Sequence, residues 1–170
     1  MQGFSRISDM PFRRRSDPDQ ESNQWFFGLK AHIGIDSKEG IVHSVCTSAA
    51  SVADKHMLSD LLHGEERKVW GDAGYQGQTE TIREAAPQAQ DMTCRRTRFK
   101  NYVDEEARRK NRTKSRVRAK VEHPFRVLKR IFGFEKVRYR GLKKNHNRLY
   151  ACFALVNLYQ HRQRLAPLGA

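Results

Sequence analysis

The apolar residues follow two spacings, alternate positions early in the chain and helical spacing late, and these predict its elements. From Trp25 to Asp36 the run WFFGLKAHIGID places Phe27, Leu29, Ala31, Ile33 and Ile35 on one side, the period of a strand with one face on a core. The turn Ser37-Lys38-Glu39-Gly40 leads into a second such run, IVHSVCT, so the pair predicts a β-hairpin. Ser51 is placed to cap a following helix, in which Val52, Met57, Leu58, Leu61 and Leu62 fall on one side before Gly64 stops it. Lys68 to Asp72 predicts a third strand, residues 78–86 a helix ending before Pro87, and residues 90–95 a further short strand. Two late helices follow, Ser115 to about Phe132, interrupted or bent near Pro124, and about Asn145 to Leu165 with Leu149, Cys152, Phe153, Val156 and Leu158 on its apolar side. A hairpin followed by alternating strands and helices predicts an α/β layer fold.

Residues 1–22 carry neither period, and RRR and SDPDQES within them read as a basic, flexible arm, with order beginning near Asn23. One domain over residues 23–165 and a short tail at 166–170 complete the organisation, because 170 residues support one core more comfortably than two. Lys and Arg number 33 against 19 Asp and Glu, a formal charge of +14. That excess points to a polyanionic partner, nucleic acid first, over a basic surface kept only for solubility. Between residues 108 and 120, RRKNRTKSRVRAK holds eight cations in thirteen residues, which by itself reads as a solvated face or a disordered stretch. Cys46, Cys94 and Cys152 lie far apart and show neither a disulfide framework nor zinc spacing. No apolar run approaches the roughly 18 residues of a membrane span, and no secretion signal opens the chain, so the expected location is cytoplasmic.

Two carboxylates stand out. Asp72 ends a predicted strand and opens GDAGYQG, whose glycines permit a tight turn and close backbone approach. It reads equally as a ligand or as a residue capping the turn. Glu122 lies in SRVRAKVEHPFRVLKR, where Ser115, Arg118, Glu122 and Lys129 are spaced by three, four and seven residues and share one helical stripe. Val117, Val121, Leu128 and Phe132 form the neighbouring, core-facing stripe. By periodicity alone the helix is an ordinary amphipathic one with an Arg118 to Glu122 pair worth a few tenths of a kcal/mol.

Taken together these residues resemble the bacterial insertion-sequence DDE transposases. That family carries a Tyr-Arg-Glu-Lys signature with gaps of two, three and six residues; the matching positions here are Ser115, Arg118, Glu122 and Lys129, with serine in place of tyrosine. NQWFFGLKAHIGID, TSAASVAD, GDAGYQG and AKVEHPFRVLKRIFGF also look like successive blocks of the family, so the likeness spans residue 23 to about 160.

The resemblance implies a ribonuclease-H-like mixed sheet with flanking helices, in which acids from two strands and a late helix bind Mg²⁺ or Mn²⁺. It makes Asp72 and Glu122 catalytic and metal-binding residues. It implies DNA contacts at Ser115, Arg118, Lys120, Arg126 and Lys129, with Lys110, Arg112, Lys114, Arg116 and the cations from Lys136 to Lys144 extending the patch. The family's first aspartate belongs to a strand ahead of Asn23 that nothing in residues 1–22 resembles, so the sheet is expected to lack that strand and the chain to be the C-terminal part of the catalytic domain. Asp9, Asp17 and Asp19 sit in no apolar run, and Asp36 and Asp54 fit a hairpin turn and a first helical turn. His32 and His123 are read as structural.

The implied reaction is metal-dependent DNA cleavage and strand transfer at element ends, impaired here because two carboxylates hold a pair of cations about 4 Å apart poorly. The expected partners are element-end and target DNA, a homo-oligomer on DNA, and full-length transposase subunits, with nucleoid association when bound. A DNA-binding remnant or regulator that does not cut is the alternative. A basic RNA-binding protein accounts for the charge but not for the GDAGYQG and Arg-Glu-Lys blocks.

Overall fold

The computed structural model describes residues 2–6, 10–12, 27–98 and 102–165. The hairpin forms as its alternation predicts: β3 (Phe27–Asp36) pairs antiparallel with β4 (Val42–Ala49), Lys30 facing Ser48 and Ile33 facing Val45. Asp36 makes the turn, its Oδ1 accepting the backbone N–H groups of Lys38 and Glu39 at 2.7 and 2.8 Å.

β1 (Gln2–Arg6) lies on the side of β3 away from β4, antiparallel to it and parallel to β5 (Lys68–Trp70). β2 (Met10–Phe12) pairs antiparallel with the start of β3, and β5 pairs in parallel with β6 (Gln90–Asp91). Crossing the six-stranded sheet one meets β4, β3, then β1, β5 and β6. The expectation of a sheet lacking a strand ahead of the hairpin is therefore corrected, and two strands lie within the stretch read as a flexible arm. QGFSR has little strand character of its own. Its backbone is extended because β3 and β5 flank it and their inner N–H and C=O groups need partners. Asp17 and Asp19, like Trp25, lie outside the described residues.

The two faces of the sheet are covered differently. Ala31, Ile33, Ile35 and Val42 pack against Val121, Phe125, Leu128, Leu149, Phe153 and Val156, drawn mainly from α3 (Glu122–Arg130) and α4 (Leu142–Leu165). Burying each of the larger side chains contributes about 1.5–3 kcal/mol. On the opposite face Leu58, Leu61, Val69, Tyr75 and Ile82 form a second cluster beneath two short 3₁₀ turns (Asp54–Met57 and Ser59–Leu61) and α1 (Thr79–Ala85). Those turns replace the helix expected after Ser51; Ala53, not Ser51, precedes them, with no side-chain cap.

Because both faces are covered, the polar positions of β3 are buried too. Lys30 is 8% exposed and His32 is fully buried; the His32 ring shares a hydrogen bond with Ser48 Oγ at 2.9 Å. Cys46 packs against the second cluster, and burial pushes its thiol pKa up to about 12, so it is an inert apolar side chain.

The dense basic run is helical. α2 (Glu105–Arg118) starts at Asp104, whose side chain accepts the Ala107 N–H at 2.9 Å, and it buries none of its residues. Acids in the first turn and arginines in the last suit the helix dipole. Pairs from Glu105 to Arg108 and from Glu106 to Lys110 offset some of the like-charge repulsion.

The helix expected from Ser115 to about Phe132, interrupted or bent near Pro124, is interrupted. A 3₁₀ turn at Ala119–Val121 separates α2 from α3. Pro124 explains the break: its ring clashes with the carbonyl four residues back, at Lys120, while inside the first turn of α3 its missing N–H costs nothing. No helix among the described residues is long and apolar enough to cross a membrane.

Candidate functional site

The acid-bearing turn lies at the carboxyl end of β5, the end where open parallel strands place ligand sites. Gly71 is needed there, since a Cβ would lie 3.1 Å from Thr93 Cγ2 and 3.2 Å from Tyr75 Cβ. Asp72 follows, half-buried, its Oδ1 accepting the Gly74 N–H at 2.8 Å. Asp72 therefore does cap its turn, and the cap also fixes its carboxylate. Gly77 closes the segment at φ +83°, a conformation glycine adopts without strain.

Asp72 opens into a cleft of about 800 Å³ lined also by Arg95, Arg96, Arg98, Asn111, Ser115 and Arg118. Four arginines thus line the cleft that holds one carboxylate. Ser115 and Arg118 come from the last turn of α2, so two positions of the signature stripe meet the acid of GDAGYQG in one place. Arg118 Nη2 stands 3.5 Å from Glu122 Oε1 across the 3₁₀ turn, which keeps the two adjacent although they belong to different helices. Glu122 is exposed beside the cleft rather than among its lining residues. Arg126 and Lys129 are exposed on α3, away from the lining. Lys120 points elsewhere, its Nζ donating to Ser37 O at 2.7 Å on the hairpin turn.

Reading the sequence missed Arg95, Arg96 and Arg98. The signal was present: RRTR follows β6, the strand parallel to β5, so it reaches the same end of the sheet as Asp72. Asp91, at the end of β6, anchors that loop. Burial raises its pKa, but the backbone N–H of Thr93 at 2.9 Å and the hydroxyl of Thr79 at 2.7 Å outweigh burial and hold it below the usual carboxylate range.

The other unexpected group is a buried ion pair. Lys30 Nζ lies 3.3 Å from Asp54 Oδ1 and donates to Val52 O at 2.9 Å. A Cβ on Gly74 would lie 3.0 Å from Asp72 Oδ1 and 3.9 Å from Asp54 Oδ2, so this pair sits directly beneath the acid-bearing turn.

The described residues by themselves do not complete a two-cation centre around Asp72 and Glu122. Asp72 Oδ1 is engaged by Gly74 N–H, Glu122 faces Arg118, and Asp54 is paired with Lys30. Among the described residues no three His, Cys, Asp or Glu side chains come together to hold a metal ion. β1, which sits beside β5, contains no acid.

A mixed α/β domain whose acid-bearing turn opens into an arginine-lined cleft is suited to a phosphate-bearing chain. The model of the family described as "Transposase DDE domain" matches residues 8–158, most of the chain. The protein belongs to that family. No solved structure matches it.

Proposed function

We propose that this chain binds DNA as a transposase domain, taking the sugar-phosphate backbone into the cleft between Asp72 and the end of α2. The observation that carries the reading is the convergence of Asp72 with Ser115, Arg118 and three further arginines in one cleft. Such a cleft concentrates positive potential where a phosphodiester would lie beside the acid. A ribonuclease-H-like sheet is the finer fold reading. It is supported by a mixed sheet with one acid at the end of a parallel strand and another at the start of a late helix.

Asp72 and Glu122 are the carboxylates by which the chain would meet Mg²⁺ or Mn²⁺, a cation that would activate a water or a DNA 3′-hydroxyl for attack at phosphorus. With no three His, Cys, Asp or Glu side chains gathered to hold a metal ion among the described residues, and Asp54 paired with Lys30, binding without efficient cutting is favoured over a fully active transposase. The other residues read as DNA contacts, Arg126 and Lys129, extend the surface along α3, whereas Lys120 is engaged by the hairpin.

The test is fluorescence anisotropy on DNA carrying the element's ends, with strand joining followed in Mn²⁺. Salt-dependent binding without strand joining is expected. Glu122→Gln should keep affinity, and replacing Arg118 and Lys129 together by Gln should lower the log-log salt slope by about 1.8, near 0.9 per duplex phosphate contact. Absence of salt-dependent binding refutes the reading. Strand joining that Asp72→Asn and Glu122→Gln both abolish would establish the active enzyme instead.

A further inference from the structure

The segment from Thr93 to Arg98 is held at several points by groups that bond its backbone. Asn111 closes on a single residue, Oδ1 accepting the Arg95 N–H at 3.1 Å and Nδ2 donating to Arg95 O at 2.6 Å. Gln76, from the acid-bearing turn, accepts the Arg96 N–H at 2.8 Å. Lys114 Nζ donates to Thr93 O at 2.8 Å, Cys94 N–H to Gly71 O at 2.9 Å, and Asp104 N–H to Thr97 O at 2.8 Å.

This two-ended use of a carboxamide recurs where the chain must be fixed. Asn157 bonds both the N–H and the C=O of Val42, and Asn145 bonds both groups of Tyr139. Those two act at partly buried places, the hairpin and the start of α4. Asn111 acts on an exposed residue, Arg95, so its two bonds serve the local shape of the chain rather than a core. Arg96 is drawn along the loop, its Nε donating to Arg98 O at 2.9 Å. Arg95 and Arg98 are exposed and line the cleft that holds Asp72.

We propose that Arg95 and Arg98 form a subsite for the sugar-phosphate backbone of one DNA strand beside Asp72, and that Asn111 is the positioning residue that holds it. The inference rests on the DNA-binding reading above and adds which element takes the strand. A cleft of about 800 Å³ has room for a short length of one strand. A loop fixed before binding gives up little conformational entropy when phosphate arrives, so each contact is realised more fully than one from a free side chain. No base edge is read by such an arrangement, so the subsite is tolerant of sequence.

The experiment measures anisotropy of a short single-stranded oligonucleotide and of the same sequence as duplex, over a range of KCl concentrations, with the whole chain. The variants are Arg95→Gln with Arg98→Gln, Asn111→Leu, and all three together. Lys38→Gln with Arg83→Gln, two exposed cations outside the cleft, serves as the charge-matched control. Loss of the arginine pair should lower the single-strand salt slope by about 1.4, near 0.7 per contact, while the control keeps the wild-type slope. Asn111→Leu should weaken single-strand binding several-fold with its circular dichroism unchanged, and should add nothing in the triple variant.

An arginine-pair slope equal to the control overturns the subsite while leaving DNA binding in place. Additive loss in the triple variant overturns the positioning role of Asn111, and a stronger effect on duplex than on single strand overturns the one-strand assignment. A wild-type chain that binds neither oligonucleotide removes the DNA-binding reading itself, and with it the subsite. Should Asn111→Leu fail to fold, the slope of the arginine pair still decides the subsite.

Discussion

Replacing Asp54 by Leu should destabilise the domain far more than an average substitution, and the cause is Lys30 rather than the lost aspartate. The two side chains are only 10% and 9% exposed, with Nζ and Oδ1 3.3 Å apart. At an effective dielectric near 20, two charges at that separation attract by about 5 kcal/mol. Removing each ion from water costs several kcal/mol, so the intact pair adds little net stability. The single variant keeps the desolvated ammonium and discards its neutralising charge. Val52 O, at 2.9 Å, still accepts from Lys30, which places the expected loss in the usual range for a broken buried pair, about 3–5 kcal/mol.

For a domain of this length that corresponds to a fall in Tm on the order of 10 °C. Lys30→Met should also destabilise, by removing the ammonium beside a buried carboxylate, and the double variant Lys30→Met with Asp54→Leu should recover about half or more of the summed losses. Urea unfolding followed by circular dichroism gives the three values and the coupling energy. If Asp54→Leu costs less than about 1 kcal/mol, or the two losses simply add, the pair is not the buried, mutually dependent unit described here.

Two further outcomes follow from the site's framework. Gly71→Ala should cost about 1–3 kcal/mol, because the new methyl meets Thr93 and Tyr75 at 3.1–3.3 Å and both are buried; an unchanged urea midpoint would refute this. Acid should weaken the fold through Asp36 and Asp91. Burial raises each carboxyl, but the N–H groups of Glu39 and Lys38 on Asp36, and of Thr93 with the Thr79 hydroxyl on Asp91, outweigh it and hold both below their ordinary value. With the folded pKa depressed, the unfolded chain binds more protons in that window. Stability is then full above the unfolded Asp value near 3.9 and lost as pH falls through the folded one. Urea midpoints between pH 7 and pH 3 should fall less steeply in Asp36→Asn with Asp91→Asn, and an equal slope would refute the assignment.

Local pattern was enough wherever an element is defined by its own residues. The alternation from Phe27 to Ile35 and the turn at Ser37 to Gly40 specify a hairpin whatever surrounds it, and the apolar side of α4 reads directly from Leu149, Phe153 and Val156. Leu158, assigned to that same side, is 56% exposed, because at about 100° per residue it lies on the face opposite Leu149. The placement of Asp72 after a strand, and the adjacency of Arg118 and Glu122, were likewise legible, because spacings of three and four survive even a 3₁₀ interruption.

What the sequence by itself determined is therefore the α/β character, the hairpin, the strand leading to Asp72 and the resemblance carried by its blocks. Tertiary structure alone decided the rest. The strand at Gln2–Arg6 exists because β3 and β5 offer it both edges, not because QGFSR favours extension. Lys30 became interior because the 3₁₀ turns cover the second face of β3 and bring Asp54 to meet it from 24 residues away. RRTR became part of a site because β6 lies parallel to β5 and delivers both following loops to one end of the sheet. Each of these depends on which distant segments share an edge or a face. A periodicity confined to neighbouring residues reports the face a segment presents, and carries no information about the segment that will meet it.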